Sequence, residues 1–157
     1  MDRMFDDDHC AVRINWSRPV DLAELKGAED ENDLIYLITA KTSRGAEKMI
    51  YVGQAYSQKI GDRIRQPDHR RKQLEWSARF AEHKLQIRKG RVHIENGKIS
   101  VPKINAIESM LIYCLDTDHC VNLRANRNPK ISGRYEICNV GSKAGLPRRI
   151  GFGFYVG

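Results

Sequence analysis

Two short β-prone runs, Leu34-Ile35-Tyr36-Leu37-Ile38 and Met49-Ile50-Tyr51-Val52-Gly53, constrain the fold more than any other feature of this chain. Each is a short apolar run rich in β-prone side chains. The polar residues 41–47 between them supply a turn, so the pair reads as an antiparallel hairpin. A chain of 157 residues with 41% hydrophobic side chains can bury a real core round that hairpin. The same figures leave little room for a second domain and exclude disorder throughout.

Beyond the hairpin, residues 57–65 and then 70–88 contain no proline and read as helical. Leu74, Ala78, Ala81 and Leu85 recur at offsets of four, three and four, the spacing of an amphipathic helix. Val92 and Ile94 are mirrored by Ile99 and Val101 around Asn96-Gly97, a residue pair that accepts a type I′ turn, which predicts a second hairpin. Pro102 opens a predicted helix over residues 103–115, and the glycine-rich tail from Cys120 reads as irregular structure with short strands. In the leader, Ile14, Trp16, Val20, Leu22 and Leu25 are apolar enough to dock on the domain as a strand and a short helix.

Charge divides the chain. Residues 1–31 hold nine acids against four bases, a net of −5, whereas the whole chain carries +7. Residues 59–91 alone hold eleven bases and four acids. Such a surplus favours a polyanionic partner, nucleic acid first, with Arg70, Arg71, Lys72 and Arg79 on the basic helix and Arg124 and Arg127 in the tail as candidate phosphate contacts. No apolar run approaches the roughly 20 residues that span a bilayer, and the acidic start does not resemble a secretory signal, so a cytoplasmic protein without membrane association is expected. Cys10, Cys114, Cys120 and Cys138 lack CxxC pairing and read as reduced thiols; His9 and His119 with these cysteines are the weaker, zinc-binding alternative.

The order of polar residues adds chemistry. Tyr36 stands on the first strand, Tyr51-Val52-Gly53-Gln54-Ala55 on the second, Arg63-Ile64 and His69 follow, Glu108 lies in the Pro102 helix, and Asn122 sits in Val121-Asn122-Leu123. This ordered set resembles the GIY-YIG nuclease family over residues 33–122, more than half the chain. The chain departs from the pattern in three places. Leu34 replaces the usual first glycine, fourteen residues separate the tyrosines, and Pro67-Asp68 alters the spacing from arginine to histidine. Arg63 matches the family arginine by its following Ile64 and Arg65 matches by its spacing to His69, so both stay as candidates.

The resemblance implies a small α/β domain, a three-stranded, mainly antiparallel sheet flanked by helices. Residues 1–31 would form an acidic extension, 32–126 the catalytic domain, and 127–157 a basic, glycine-rich extension packed on it. It further implies a Mg²⁺- or Mn²⁺-dependent endonuclease acting on DNA, of compact restriction type, with a homodimer as the simplest way to cut two strands. Glu108 would bind the metal, Gly53 and Asn122 would support the site, and Tyr36, Tyr51, Arg63 or Arg65, and His69 would act on the phosphodiester. The chemistry suits these groups: an arginine forks onto phosphate, a carboxylate offers Mg²⁺ a hard oxygen, and a tyrosine orients water. Tyr36 serves as a base only if its pKa falls below the usual value of about 10. Two blander readings stand beside these, Glu108 as part of a solvent stripe and His69 as a surface residue of the basic helix. The alternative function is a non-catalytic nucleic-acid-binding module on the same scaffold.

Overall fold

The computed structural model describes residues 9–25, 29–115 and 133–152. Its strands are β1 (His9–Trp16), β2 (Val20–Asp21), β3 (Asp33–Lys41), β4 (Lys48–Gln54), β5 (Lys84–Ile94), β6 (Arg134–Gly141) and β7 (Arg149–Phe152). The helices are α1 (Ile60–Ile64), α2 (Pro67–Arg79) and α3 (Val101–Tyr113), with a 3₁₀ turn at Leu22–Glu24.

The two apolar runs form β3 and β4, which pair antiparallel with Ile38 opposite Tyr51 and Tyr36 opposite Gly53. β3 is buried at every position but its last. It lies between β4 and β5, so both of its edges are hydrogen-bonded and both of its faces are covered. Alternation along the strand divides the core. Ile35 and Leu37 join one cluster with Ile104, Ile107 and Leu111 of α3, while Tyr36, Ile38 and Ala40 join another with Ile60, Ile64, Trp76 and Phe80 of α1, α2 and the residue that follows it. Leu34 falls where the β3–β5 register shifts between Asp33 and Ile35, and this irregularity lets its side chain be buried beside that of Ile35.

The expected three-stranded antiparallel sheet is corrected to a seven-stranded mixed one, in the order β4-β3-β5-β1-β6-β7 with β2 also on β5. The leader supplies the reason for half of this difference. Cys10, Val12, Ile14 and Trp16 alternate inward along β1, which pairs antiparallel with β5 and parallel with β6. Pro19 lies in the break between β1 and β2, and both strands follow the same side of β5. The tail supplies β6 and β7; Asn139 ties them down by accepting from Trp16 Nε1 at 2.9 Å and donating to the Pro147 carbonyl at 2.9 Å.

Two further expectations change. The helix expected over residues 70–88 stops at Arg79, and residues 84–88 belong to β5. Its buried side is His69 and Trp76 with half-buried Gln73 between them, not Leu74, which is 74% exposed. The expected Asn96-Gly97 hairpin does not form, since Val92 and Ile94 pair with Ile14 and Val12 of β1. Asn96 instead accepts from the Ala11 N–H at 3.0 Å, and the chain turns into α3, whose N-cap Ser100 accepts from the Lys103 N–H. Pro102 occupies the first turn of α3, as expected.

The helix phase is open to direct measurement. Trp76→Ala should cost about 3–5 kcal/mol in urea denaturation, as truncation of a buried aromatic does, whereas Leu74→Ala should stay within about 0.5 kcal/mol. Equal losses would restore the Leu74 face.

Candidate functional site

Both tyrosines stand on the α1–α2 side of the sheet, on adjacent strands. The Tyr36 ring is fully buried and lies across Gly53, where an added Cβ would overlap its phenol. The Tyr51 ring is 6.0 Å from that of Tyr36 and 4.8 Å from that of Trp76, centroid to centroid, and keeps 7% exposure.

Pro67 starts α2 just after α1 ends, which brings His69 in the first turn of α2 under the sheet. His69 is fully buried, with Nε2 2.9 Å from Tyr36 Oη and Nδ1 2.8 Å from Gln73 Nε2. It is therefore no surface residue. Burial, with the nearby charges of Arg63 and Lys72, pushes its pKa down to about 4.

The structure separates the two arginines. Arg63 lies on the side of the tyrosines, and its charge favours ionisation of both phenols. Its Nη1 is held 2.7 Å from Gln66 Oε1 and 3.3 Å from the Asp68 carboxylate. Asp68, part of the Pro67-Asp68 departure, thus aims this guanidinium. Arg65 turns away, 3.8 Å from Asp62 and within hydrogen-bond reach of the Leu25 carbonyl.

Glu108 approaches from α3, on the opposite side of the sheet. β4 is the outermost strand of the path, and Glu108 is met there by its last residue. That residue, Gln54, donates from Nε2 to Glu108 Oε2 at 2.5 Å and to Asn105 Oδ1 at 2.7 Å. Glu108 is half-buried and its charge reaches both phenols, opposing their ionisation. Burial does so more strongly and lifts both pKa values, that of Tyr36 well above 10. The base role considered for Tyr36 therefore loses its condition, a lowered pKa.

Arg70, Arg71 and Arg79 lie on the outer side of α2, where Arg70, Arg71 and Arg79 are exposed, and Lys72 Nζ sits 5.6 Å from the centre of the Tyr51 ring. Asn122, Arg124 and Arg127 lie outside the described residues. Among the described residues no three His, Cys, Asp or Glu side chains are grouped as a metal cage. A single carboxylate beside amide groups fits Mg²⁺ nonetheless, since that ion keeps most of its water and takes one or two protein oxygens. No helix among the described residues is long and apolar enough to cross a membrane.

Sequence reasoning misses Gln54, Gln73 and Trp76. Gln73 had a signal, because it stands four residues after His69 on the same helix face. Gln54 follows the Tyr51-Val52-Gly53 signature directly, but its link to α3 depends on tertiary packing. No family model, curated protein or solved structure matches the chain.

A buried neutral histidine leaves a pH signature. The unfolded chain binds a proton near pH 6.5 whereas the folded one resists until about pH 4, so this residue's contribution is full above pH 6.5 and falls as pH drops towards 4. Urea denaturation across that window should show stability rising with pH, by up to about 1.4 kcal/mol per unit from this group. In His69→Gln that portion of the slope should vanish; an unchanged slope would mean the imidazole is not held neutral.

Proposed function

We propose that the chain is a Mg²⁺-dependent endonuclease that hydrolyses DNA phosphodiesters. The observation that carries the reading is convergence: Tyr36, Tyr51, Arg63, His69 and Glu108 come from five different elements and gather beside the end of β4. The basic outer side of α2 borders the same place through Lys72.

In this reading Arg63 meets the scissile phosphate and offsets the charge that grows on its nonbridging oxygens. Tyr51, the outer phenol, holds the attacking water at Oη. Tyr36 stays protonated behind Tyr51, so the tyrosines orient water rather than deprotonating it. As the water oxygen bonds to phosphorus its proton passes to a nonbridging phosphate oxygen, and the P–O bond to the leaving alkoxide breaks as that alkoxide takes the proton up. Glu108 would hold magnesium, which when bound supplies positive charge at the phosphate and lowers the pKa of its water. Gln54 keeps the Glu108 carboxylate in place. Three free thiols among the described residues, Cys10, Cys114 and Cys138, suit action in the reducing cytoplasm. A restriction-type role, with one site per chain in a homodimer, is the simplest biological setting.

A second reading, a nucleic-acid-binding module without cleavage, draws on the burial of Tyr36 and His69, which keeps both from direct contact with substrate. Glu108→Gln separates the two. A nuclease should nick or cut supercoiled plasmid only with Mg²⁺ or Mn²⁺, and the variant should lose cleavage while binding DNA as well as before. Binding by both proteins with cleavage by neither would favour the module. Equal cutting by both would remove Glu108 from the metal role.

The binding surface has its own test. Replacing Arg70, Arg71 and Lys72 together by Gln should weaken DNA binding and flatten the plot of log K against log salt, by roughly one unit for every phosphate the variant no longer neutralises. A slope equal to that of the wild type would place the groove elsewhere.

A further inference from the structure

Gln73 makes two hydrogen bonds whose directions can be read. Its amide nitrogen lies 2.7 Å from the Ile64 carbonyl oxygen, which can only accept, and 2.8 Å from His69 Nδ1. The amide must therefore present its NH₂ group, one N–H to each partner. His69 Nδ1 is then an acceptor and carries no proton. In the neutral ring the proton sits on Nε2, 2.9 Å from Tyr36 Oη, so His69 donates to Tyr36. With its oxygen already accepting, Tyr36 keeps its own proton free to donate.

We infer that Gln73 is a positioning residue, which fixes the tautomer of His69 and so sets the direction of the buried hydrogen bond from His69 to Tyr36. The consequence is specific. His69 cannot take a proton from Tyr36 in this arrangement, because the nitrogen facing the phenol already bears one. Its task is to donate. That donation polarises the hydroxyl of Tyr36, whose ring lies 6.0 Å from that of Tyr51, the phenol nearer to solvent. The backbone carbonyl of Ile64, at the end of α1, anchors the other end and couples the tautomer to the helix that carries Arg63. The chemical part of this inference stands on the hydrogen bonds alone; its catalytic part rests on the nuclease reading above.

The test is spectroscopic first. In the full chain labelled with ¹⁵N at neutral pH, two-dimensional correlation of ring nitrogens with carbon-bound ring protons distinguishes the two tautomers, and His69 is assigned by its loss in His69→Gln. The wild type should show the Nε2–H form. Gln73→Glu keeps the side chain's shape and places a carboxylate at Nδ1, so this nitrogen should become protonated. A wild type in the Nδ1–H form, or a Gln73→Glu spectrum identical to the wild type, would overturn the inference. The first of these measurements needs no variant of Gln73 to fold. If the wild type cleaves DNA, Gln73→Glu should lower kcat about tenfold or more with KM little changed. A changed tautomer with full kcat would overturn the catalytic part, whereas a wild type that never cleaves would overturn the nuclease reading and leave the spectrum to decide the tautomer.

Discussion

The missing side chain at Gly53 is the constraint on which the candidate site rests. Tyr36 stands opposite Gly53 in the β3–β4 pairing, and its phenol crosses the neighbouring strand where any Cβ would stand. The ring can therefore lie over β4, so that its hydroxyl meets His69 and its ring stands 6.0 Å from that of Tyr51 instead of ending within its own strand's packing. Glycine is used here for close approach, not for an unusual backbone angle. Once the phenol is fixed, His69 must be buried to meet it, and α2 must start early enough to bring His69 there. Pro67 provides that start.

A second fixed point holds the hairpin at its length. Arg88 of β5 is 5% exposed and forms a bidentate pair with Glu47, at 2.5 and 3.0 Å, in the turn between β3 and β4. Thr39 also donates to Glu47. Burial alone would raise the Glu47 pKa, but these bonds hold it below the ordinary carboxylate value. Arg88 reaches Ser142 after β6 as well, so one guanidinium ties the turn to the far side of the sheet. The wide spacing between the tyrosines thus has a structural use, since the longer strands carry the turn out to Arg88. Such a pair is better evidence for a defined geometry than for net stability, because desolvation offsets much of its attraction.

What is legible in the sequence follows from which interactions are local. β3 and β4 announce themselves because both are nearly all apolar and separated by a polar turn. The start of α3 is marked by Ser100 and Pro102, a cap and a first-turn proline that act within four residues. The phase of α2 is hidden because Leu74, Ala78, Ala81 and Leu85 share a spacing with the true buried set. That set runs through His69, Gln73, Trp76 and Phe80, and two of its members are polar. Hydrophobic periodicity cannot find a stripe in which a buried imidazole takes the place of an aliphatic residue. The wider sheet escapes for a different reason. Ile14 and Trp16 point to a docked strand in the leader, but its place between β5 and β6 is set by long-range pairs that no local pattern announces. Among the site residues, order along the chain points to Tyr36, Tyr51 and Glu108, while the choice of Arg63 over Arg65 needs the position of Asp68.

Assembly of the site at an edge strand resolves a geometric problem. Groups on opposite faces of a sheet are separated by the backbone layer, and in a central strand a carboxylate from one face could not share a substrate with phenols on the other. At β4 the layer ends. Gln54, its last residue, reaches α3 on one side, while Tyr51, three residues earlier, belongs to the α1–α2 side. A phosphodiester lying along this edge could meet Arg63 and Tyr51 from one face and Glu108 from the other without crossing the sheet. In the proposed nuclease reading, the same position places the site beside the charge of α2, so attraction of DNA and contact with the proposed reacting groups would fall on one continuous surface. The cost, among the described residues, is a strand edge paired with no further strand, and the polar ends of that strand, Lys48 and Gln54, are of the kind that discourage pairing with another chain.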